Sequence, residues 1–478
     1  MRCSGTFRDP VVCSRAVPHE ARAAHGGRLP PLIGFLLRPL RRLALAAFFA
    51  AGAVQAQEPV QLPPQIPPDE IDFEGFTSLA LGSGARAFGM GGAFLARADD
   101  ATAASWNPAG LSYLRRPEFS IVGGRNSFSR GPVDAEPTDE FLGYTPDFLA
   151  FTYPLSSGAL QLSYQRVFSF RGDRTIQRET VNFFTEGSGG YDVLALGGGF
   201  RMGRSVRIGA TVNGWLNGYS QRRERIPLEG GPSRGTTEQD IDYDIDSGIN
   251  FNLGVMWTPV ESLNFGLVGK TPFTAILNLR RFRQDTRAAD PATDPPTLVV
   301  TTNAAERSDV LIDFPGALGV GVSWRPTSPL TLSADYTRTF WSQGRIRNFF
   351  LLDPTPQAGE APPPTEYREL PYPTLDDVDQ TDTQQFRLGV EYVLLAGPLK
   401  IPLRAGVFTD RQYFRDQNGA PPKFWGVTAG TGLSFGPFMI DVAYLVERGT
   451  FVPAEVSAEE TSTRFSRAFV SVIYRHGQ

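Results

Sequence analysis

Residues 384–410 read QQFRLGVEYVLLAGPLKIPLRAGVFTD. In the first half, Phe386, Leu388, Val390 and Tyr392 alternate with Arg387 and Glu391. A period of two places the apolar side chains on one face of a strand and the charges on the other. The second half continues as a further strand, 398–410, with Arg404 on the charged face. Between the halves stands only the corner Ala396–Gly397–Pro398, which fits an antiparallel hairpin. Charge cannot be solvated by lipid, so such a hairpin in a membrane would turn its apolar face outward and its charged face inward.

The pattern recurs along the chain. Residues 205–218 set Val206, Ile208, Ala210, Val212 and Leu216 against Arg207, Thr211, Asn213 and Asn217. Residues 329–341 set Leu330, Leu332, Ala334 and Tyr336 against Thr331, Ser333, Asp335 and Thr337. Fourteen strands are predicted: 118–127, 145–154, 158–168, 190–202, 205–218, 245–258, 262–283, 310–325, 329–341, 384–396, 398–410, 424–436, 437–448 and 462–475. Their connections alternate long and short. The short ones are Leu155–Ser157, Gly203–Arg204, Pro259–Glu261, Pro326–Ser328 and the corners at Gly397 and Gly436; those between them, such as 219–244 and 342–383, are long. This segregation is the arrangement of an all-β transmembrane antiparallel barrel, with tight turns at one rim and long loops at the other. Each strand entering the short-turn rim carries an aromatic there: Tyr153, Phe200, Trp257, Trp324, Tyr392, Phe435 and Tyr474. An interfacial girdle requires this, and soluble packing gives no reason for it.

Upstream of the strands, Arg38, Arg41 and Arg42 precede the apolar run Leu43–Ala53 and the small-x-small Val54-Gln55-Ala56. This is the pattern of a secretory signal, with cleavage expected between Ala56 and Gln57. Residues 1–56 are therefore read as leader and signal, and the Pro-rich 57–68 as an extended linker. Removing the leader shifts the formal charge from −4 to −10 and takes Cys3, Cys13, His19 and His25 with it. Only His476 remains, so thiol catalysis and a two-His metal site are excluded and Ser–His chemistry is disfavoured. No catalytic residue, metal or cofactor is expected. No basic surplus points to nucleic acid.

Residues 79–117, LALGSGARAFGMGGAFLARADDATAASWNPAGLSYLRRP, stand apart from the alternating strands. Asp99 or Asp100 can cap a short helix through Ala101–Ser105, and Asn107-Pro108 ends it, because the residue before proline is pushed out of the helical region. The Gly-Ala-Arg-Ala-Phe-Gly-Met-Gly-Gly-Ala stretch (84–93), Ala98–Thr102 and Trp106-Asn107-Pro108-Ala109-Gly110-Leu111 resemble the FadL/OmpP1/TodX family of outer-membrane transport proteins. The resemblance extends over 79–478 and the strand count equals that family's. It implies an N-terminal hatch over residues 69–116 plugging a barrel of 117–478, with Asn107, Pro108 and Ala109 as the hatch motif tied to the wall. It implies passive uptake of hydrophobic compounds, long-chain fatty acids or aromatic hydrocarbons, across the outer membrane of a Gram-negative bacterium. The expected partners are a hydrophobic small molecule and outer-membrane lipids. In the alternative reading the chain is similar to PorV-type barrels, which serve protein secretion or surface anchoring and would bind a secreted protein.

Ligand-contact candidates are Trp215, on the lumen face, and Phe282, Phe349, Phe350, Leu351 and Leu352, in or beside long loops where exposed apolar residues need a reason. Alternation sends Arg207, Asp335, Arg387, Glu391, Arg404 and Asp441 into the lumen, as a structural network or as a site for a carboxylate headgroup. The family's lateral gap comes from a kink in the third strand. Residues 158–168 hold no proline and no glycine after Gly158, so no kink is visible in the sequence.

Overall fold

In the computed structural model the described residues are 82–133, 139–169, 172–178, 181–227, 235–287, 299–352, 366–369, 380–452 and 460–477. The leader, the linker and the first part of the expected hatch lie outside them.

Fourteen antiparallel staves close into one barrel. They are β1 (Glu118–Pro132), β2 (Asp139–Pro154), β3 (Gly158–Ser169 and Gly172–Arg178), β4 (Val181–Met202), β5 (Val206–Leu216 and Gly218–Pro227), β6 (Gly235–Ser247 and Ile249–Val260) and β7 (Leu263–Lys270 and Phe273–Arg287). They continue as β8 (Val299–Phe314 and Ala317–Trp324), β9 (Leu330–Thr339 and Arg345–Leu352), β10 (Glu366–Glu369 and Thr383–Ala396), β11 (Leu399–Arg411), β12 (Lys423–Phe435), β13 (Phe438–Phe451) and β14 (Thr461–Arg475). Closure is made by β1 against β14, in unbroken register from Glu118–Arg475 to Pro132–Thr461. Closing the sheet removes its edges, which is what a backbone in hydrocarbon demands.

Alternation sets the two faces as expected. On β5, Ile208 and Val212 are exposed and Thr211, Asn213 and Trp215 buried. On β14, Val470 and Tyr474 face out while Phe469, Ser471 and Ile473 are buried inside. All seven predicted girdle aromatics are outward and exposed, from Tyr474 at 37% to Tyr153 at 56%.

The strands run further from the short-turn rim than the apolar pattern predicts. Segments expected as long loops continue the ladder: β5 pairs with β6 out to Arg225–Thr237, and β7 pairs with β8 out to Arg287–Val299. Past the apolar band the strict alternation lapses although the backbone goes on pairing. Phe282 lies in β7, as the predicted strand 262–283 has it, and Phe349, Phe350, Leu351 and Leu352 lie in β9, within a strand rather than a loop.

The ladder breaks at several levels beside the lumen, at Thr271–Pro272 and Pro315–Gly316 and between β2 and β3. β2 pairs with β3 from Pro154–Ala159 up to Phe148–Gln165, and resumes only at Leu142–Asp173. At the same level β3 shifts register against β4, between Arg166 and Phe168. A bulge of this kind can redirect a strand without proline or glycine of its own; across the gap, β2 carries Pro146.

Candidate functional site

Residues 82–117 lie inside the barrel. Two short helices, α1 (Ala85–Gly89) and α2 (Ala103–Trp106), precede a 3-10 turn at Pro108–Tyr113. The first residue of α2 follows Thr102 rather than an aspartate, so neither Asp99 nor Asp100 is its N-cap. Asp100 instead shapes the preceding turn: its Oδ1 accepts from the Thr102 N–H (2.9 Å) and hydroxyl (2.6 Å). Asn107 ends α2 in extended backbone, as the following proline requires. Its Oδ1 accepts from the Ala109 N–H (3.1 Å), and its Nδ2 donates to Leu95 O (2.8 Å) and to Val255 O on β6 (3.3 Å). One side chain thus starts the 3-10 turn, braces the hatch and ties it to the wall. Trp106 fills the centre, donating to Ser83 O at 2.7 Å between the rings of Phe88 and Phe94.

The wall meets this plug with glycine. A Cβ at Gly199, Gly209, Gly254, Gly266, Gly321, Gly389 or Gly406 would press on hatch atoms, in most cases backbone. These glycines stand at inward slots on β4, β5, β6, β7, β8, β10 and β11. Sequence reasoning missed them, although a glycine recurring at the inward slot of neighbouring strands is a legible sign of something seated close against the wall.

Charges complete the seat. Glu391 on β10 receives Arg404 Nε of β11 (2.8 Å), Arg97 Nη2 (3.2 Å) and Arg86 Nε (3.4 Å). Arg86 also pairs with Asp99 (2.6 Å) and Asp100 (3.1 Å), Arg97 pairs with Asp99, and Arg404 pairs with Asp441 on β13 (2.6 Å). Burial alone would raise the Asp99 carboxyl, but Arg86 and Arg97 outweigh it and hold it below the ordinary range. Asp335 on β9 accepts the backbone N–H groups of Phe94 (2.6 Å) and Leu95 (2.8 Å). Arg387 donates to Thr337 (3.0 Å) and Gln385 within the wall. Arg207 lies 3.9 Å over the Tyr113 ring of the hatch. Five of the six lumen charges named from the sequence therefore bear on the hatch directly or through a partner; Arg387 bonds only within the wall. The arginines and aspartates of 86–100 were the part of this network that alternation could not supply.

Above the hatch the lumen is aromatic. Trp215 of β5 stands 4.8 Å from Phe273 of β7 and 5.3 Å from Phe314 of β8, centroid to centroid; Phe273 and Phe314 stack at 5.0 Å, and Phe168 of β3 joins both Trp215 and Phe314 at 6.4 Å. Trp215 Nε1 is satisfied by Asn250 Oδ1 at 2.9 Å. Trp215, Phe273 and Phe314, with Val167, Val193, Lys270 and the polar Asn213, Asn250 and Asn252, bound a cavity of about 60 Å³ whose floor is Ala104 and Ser105 of α2. The structure thus gathers Trp215 with Phe168, Phe273 and Phe314, three rings not singled out in the sequence. The side chains of Phe282 and Phe349–Leu352 lie outside the described residues.

No family model matches the sequence, and no curated protein does. Solved structures match the fold. A FadL homologue from Pseudomonas aeruginosa is 13% identical, with a TM-score of 0.59 over 83% of this chain and 99% of that one. The toluene transporter TbuX of Ralstonia pickettii is 18% identical, with a TM-score of 0.56 over 83% and 99%. The toluene transporter TodX of P. putida is 14% identical, with a TM-score of 0.55 over 84% and 100%. At these identities the likeness establishes the fold alone, a fourteen-stranded barrel.

Proposed function

We propose that this barrel sits in the outer membrane of a Gram-negative bacterium and admits small hydrophobic molecules by passive diffusion. The observation that carries the reading is the aromatic chamber closed from below by the hatch. A water-filled pore serves apolar solutes poorly, whereas rings from β5, β7 and β8 remove their surface from water at roughly 25 cal/mol per Å². The fold shared with a FadL homologue and with toluene transporters points the same way. A cavity of about 60 Å³ over a seated hatch accommodates a ligand only as side chains or hatch give way. The interrupted ladder between β2 and β3 stands at the level of Val167, a lining residue of the chamber. This favours exit sideways into the bilayer.

The test is uptake of labelled toluene and labelled oleate by a host lacking its own carriers. Expression of the chain is expected to raise uptake of at least one of them. Trp215→Ala is expected to lower that gain severalfold, while heat-modifiable gel migration, the mark of an intact barrel, is retained. Unchanged uptake of both solutes would favour the secretion reading, which pull-down of a secreted partner would then support.

A further inference from the structure

The outer surface near the long-loop rim carries cations where an apolar band ends. On the faces of β1 and β14 the outward residues ascend from Phe119 and Tyr474, through Ile121 and Val472, to Arg125 opposite Ala468, Ser127 opposite Ser466 and Ser129 opposite Arg464. Ser129 and Arg464 stand ten residues up from Phe119 and Tyr474. At about 3.3 Å per residue and a tilt of about 40° that is roughly 25 Å, the height of a barrel's apolar band. Arg125, Ser127, Ser129, Tyr444, Arg464 and Ser466 line an outward recess of about 250 Å³.

Beside the recess, Arg448 of β13 is the direct cross-strand neighbour of Arg464, and Trp425 of β12 is that of Arg448. On the next pair of staves Arg411 faces Lys423. Like charges directly opposed across a ladder repel. Among the described residues no carboxylate pairs with Arg125, Arg448 or Arg464. Two opposed guanidinium groups, a third within the recess, hydroxyls between them and aromatic rings at the interface level form a socket for a doubly charged oxyanion attached to a lipid.

We propose that this recess holds the phosphate-bearing headgroup of an outer-leaflet glycolipid, its acyl chains lying down the apolar faces of β1, β13 and β14. The proposal rests on the outer-membrane placement above. Charge complementarity argues for this occupant: a neutral lipid leaves the Arg448–Arg464 repulsion standing, and a protein partner would have to displace lipid from the band below.

The full-length protein, purified in zwitterionic detergent, is mixed with a bisphosphorylated lipid A-type glycolipid or its phosphate-free counterpart, and bound lipid is counted by native mass spectrometry. Retention of the phosphorylated lipid is expected to exceed that of its counterpart at least tenfold. Arg448→Gln with Arg464→Gln should bring it down to the phosphate-free level. Lys400→Gln, a cation near the opposite rim, should change nothing. Arg464→Lys, which keeps the charge and loses the fork, gives an intermediate value and serves if the double variant fails to show heat-modifiable migration. Equal retention by the substituted and unsubstituted proteins overturns the proposal, as does equal retention of the phosphate-free lipid. Full displacement by millimolar inorganic phosphate overturns the lipid assignment in favour of a free-anion site. Toluene uptake by the double variant should match that of the unsubstituted chain, so failure of this site and failure of the transport reading are read separately.

Discussion

Replacing Glu391 by glutamine is expected to unseat the hatch while leaving the barrel intact. Glu391 is the wall acid on which two hatch arginines, Arg86 and Arg97, and the wall arginine Arg404 converge, with its side chain 3% exposed. Glutamine keeps the volume and removes the charge, leaving three guanidinium groups to Asp99, Asp100 and Asp441. Taking one partner from a buried pair costs about 3–5 kcal/mol, because the remaining charge is stranded in low dielectric. Here the cost falls on the contact between hatch and wall, since the β10 ladder is made by backbone groups that the substitution does not touch. In planar bilayers the unsubstituted protein should pass little ion current, its lumen being filled. Glu391→Gln should show frequent open events of a wide pore, with heat-modifiable migration unchanged. Asp441→Asn removes the ion pair to Arg404 alone and should give a smaller effect of the same kind. A closed channel in Glu391→Gln would mean that the ion network is not what holds the hatch.

The barrel was legible because the lower halves of its staves meet two solvents at once. Hydrocarbon outside and a polar interior write a period of two into residues such as 205–218 and 384–396, and the bilayer interface fixes aromatics such as Trp257 and Trp324 at one rim. Once the staves pass that band, water lies on both sides and the constraint lapses. The upper strands of β5 to β9 were therefore read as loops, and Phe349–Leu352, part of one of them, as a loop motif. The hatch motif was legible in its backbone consequences, since proline after Asn107 dictates a helix end, but the cap was misplaced because Asp100 and Thr102 satisfy each other. The chamber was illegible for a geometrical reason. Phe168, Trp215, Phe273 and Phe314 come from four staves spread over nearly 150 residues, and only the curvature of the closed sheet brings their rings within about 6 Å. No local spacing encodes that meeting.

The glycine seat yields the second large effect, and it separates shape from charge. At Gly209 a side chain would be driven into the carbonyl carbon of Pro108 and the nitrogen of Ala109, and at Gly406 into Met90 and Gly91. These are backbone atoms on two sides of the hatch, and no rotamer change moves them aside. Overpacking against flexible side chains costs about 1–3 kcal/mol, and here nothing flexible is available to give. Valine suits a strand, so the ladders of β5 and β11 should still form around Gly209→Val or Gly406→Val. The hatch is then the part that must leave. Arg97, whose side chain is 14% exposed in the seated hatch, should become a ready site for trypsin in both variants and stay protected in the unsubstituted protein. Gly269→Ala is the matched control, because a Cβ at that position meets nothing. If Arg97 stays protected in Gly209→Val and Gly406→Val while the barrel folds, close backbone approach is not what seats the hatch. If Arg97 is cut in these variants and not in Glu391→Gln, shape holds the plug and charge only aligns it.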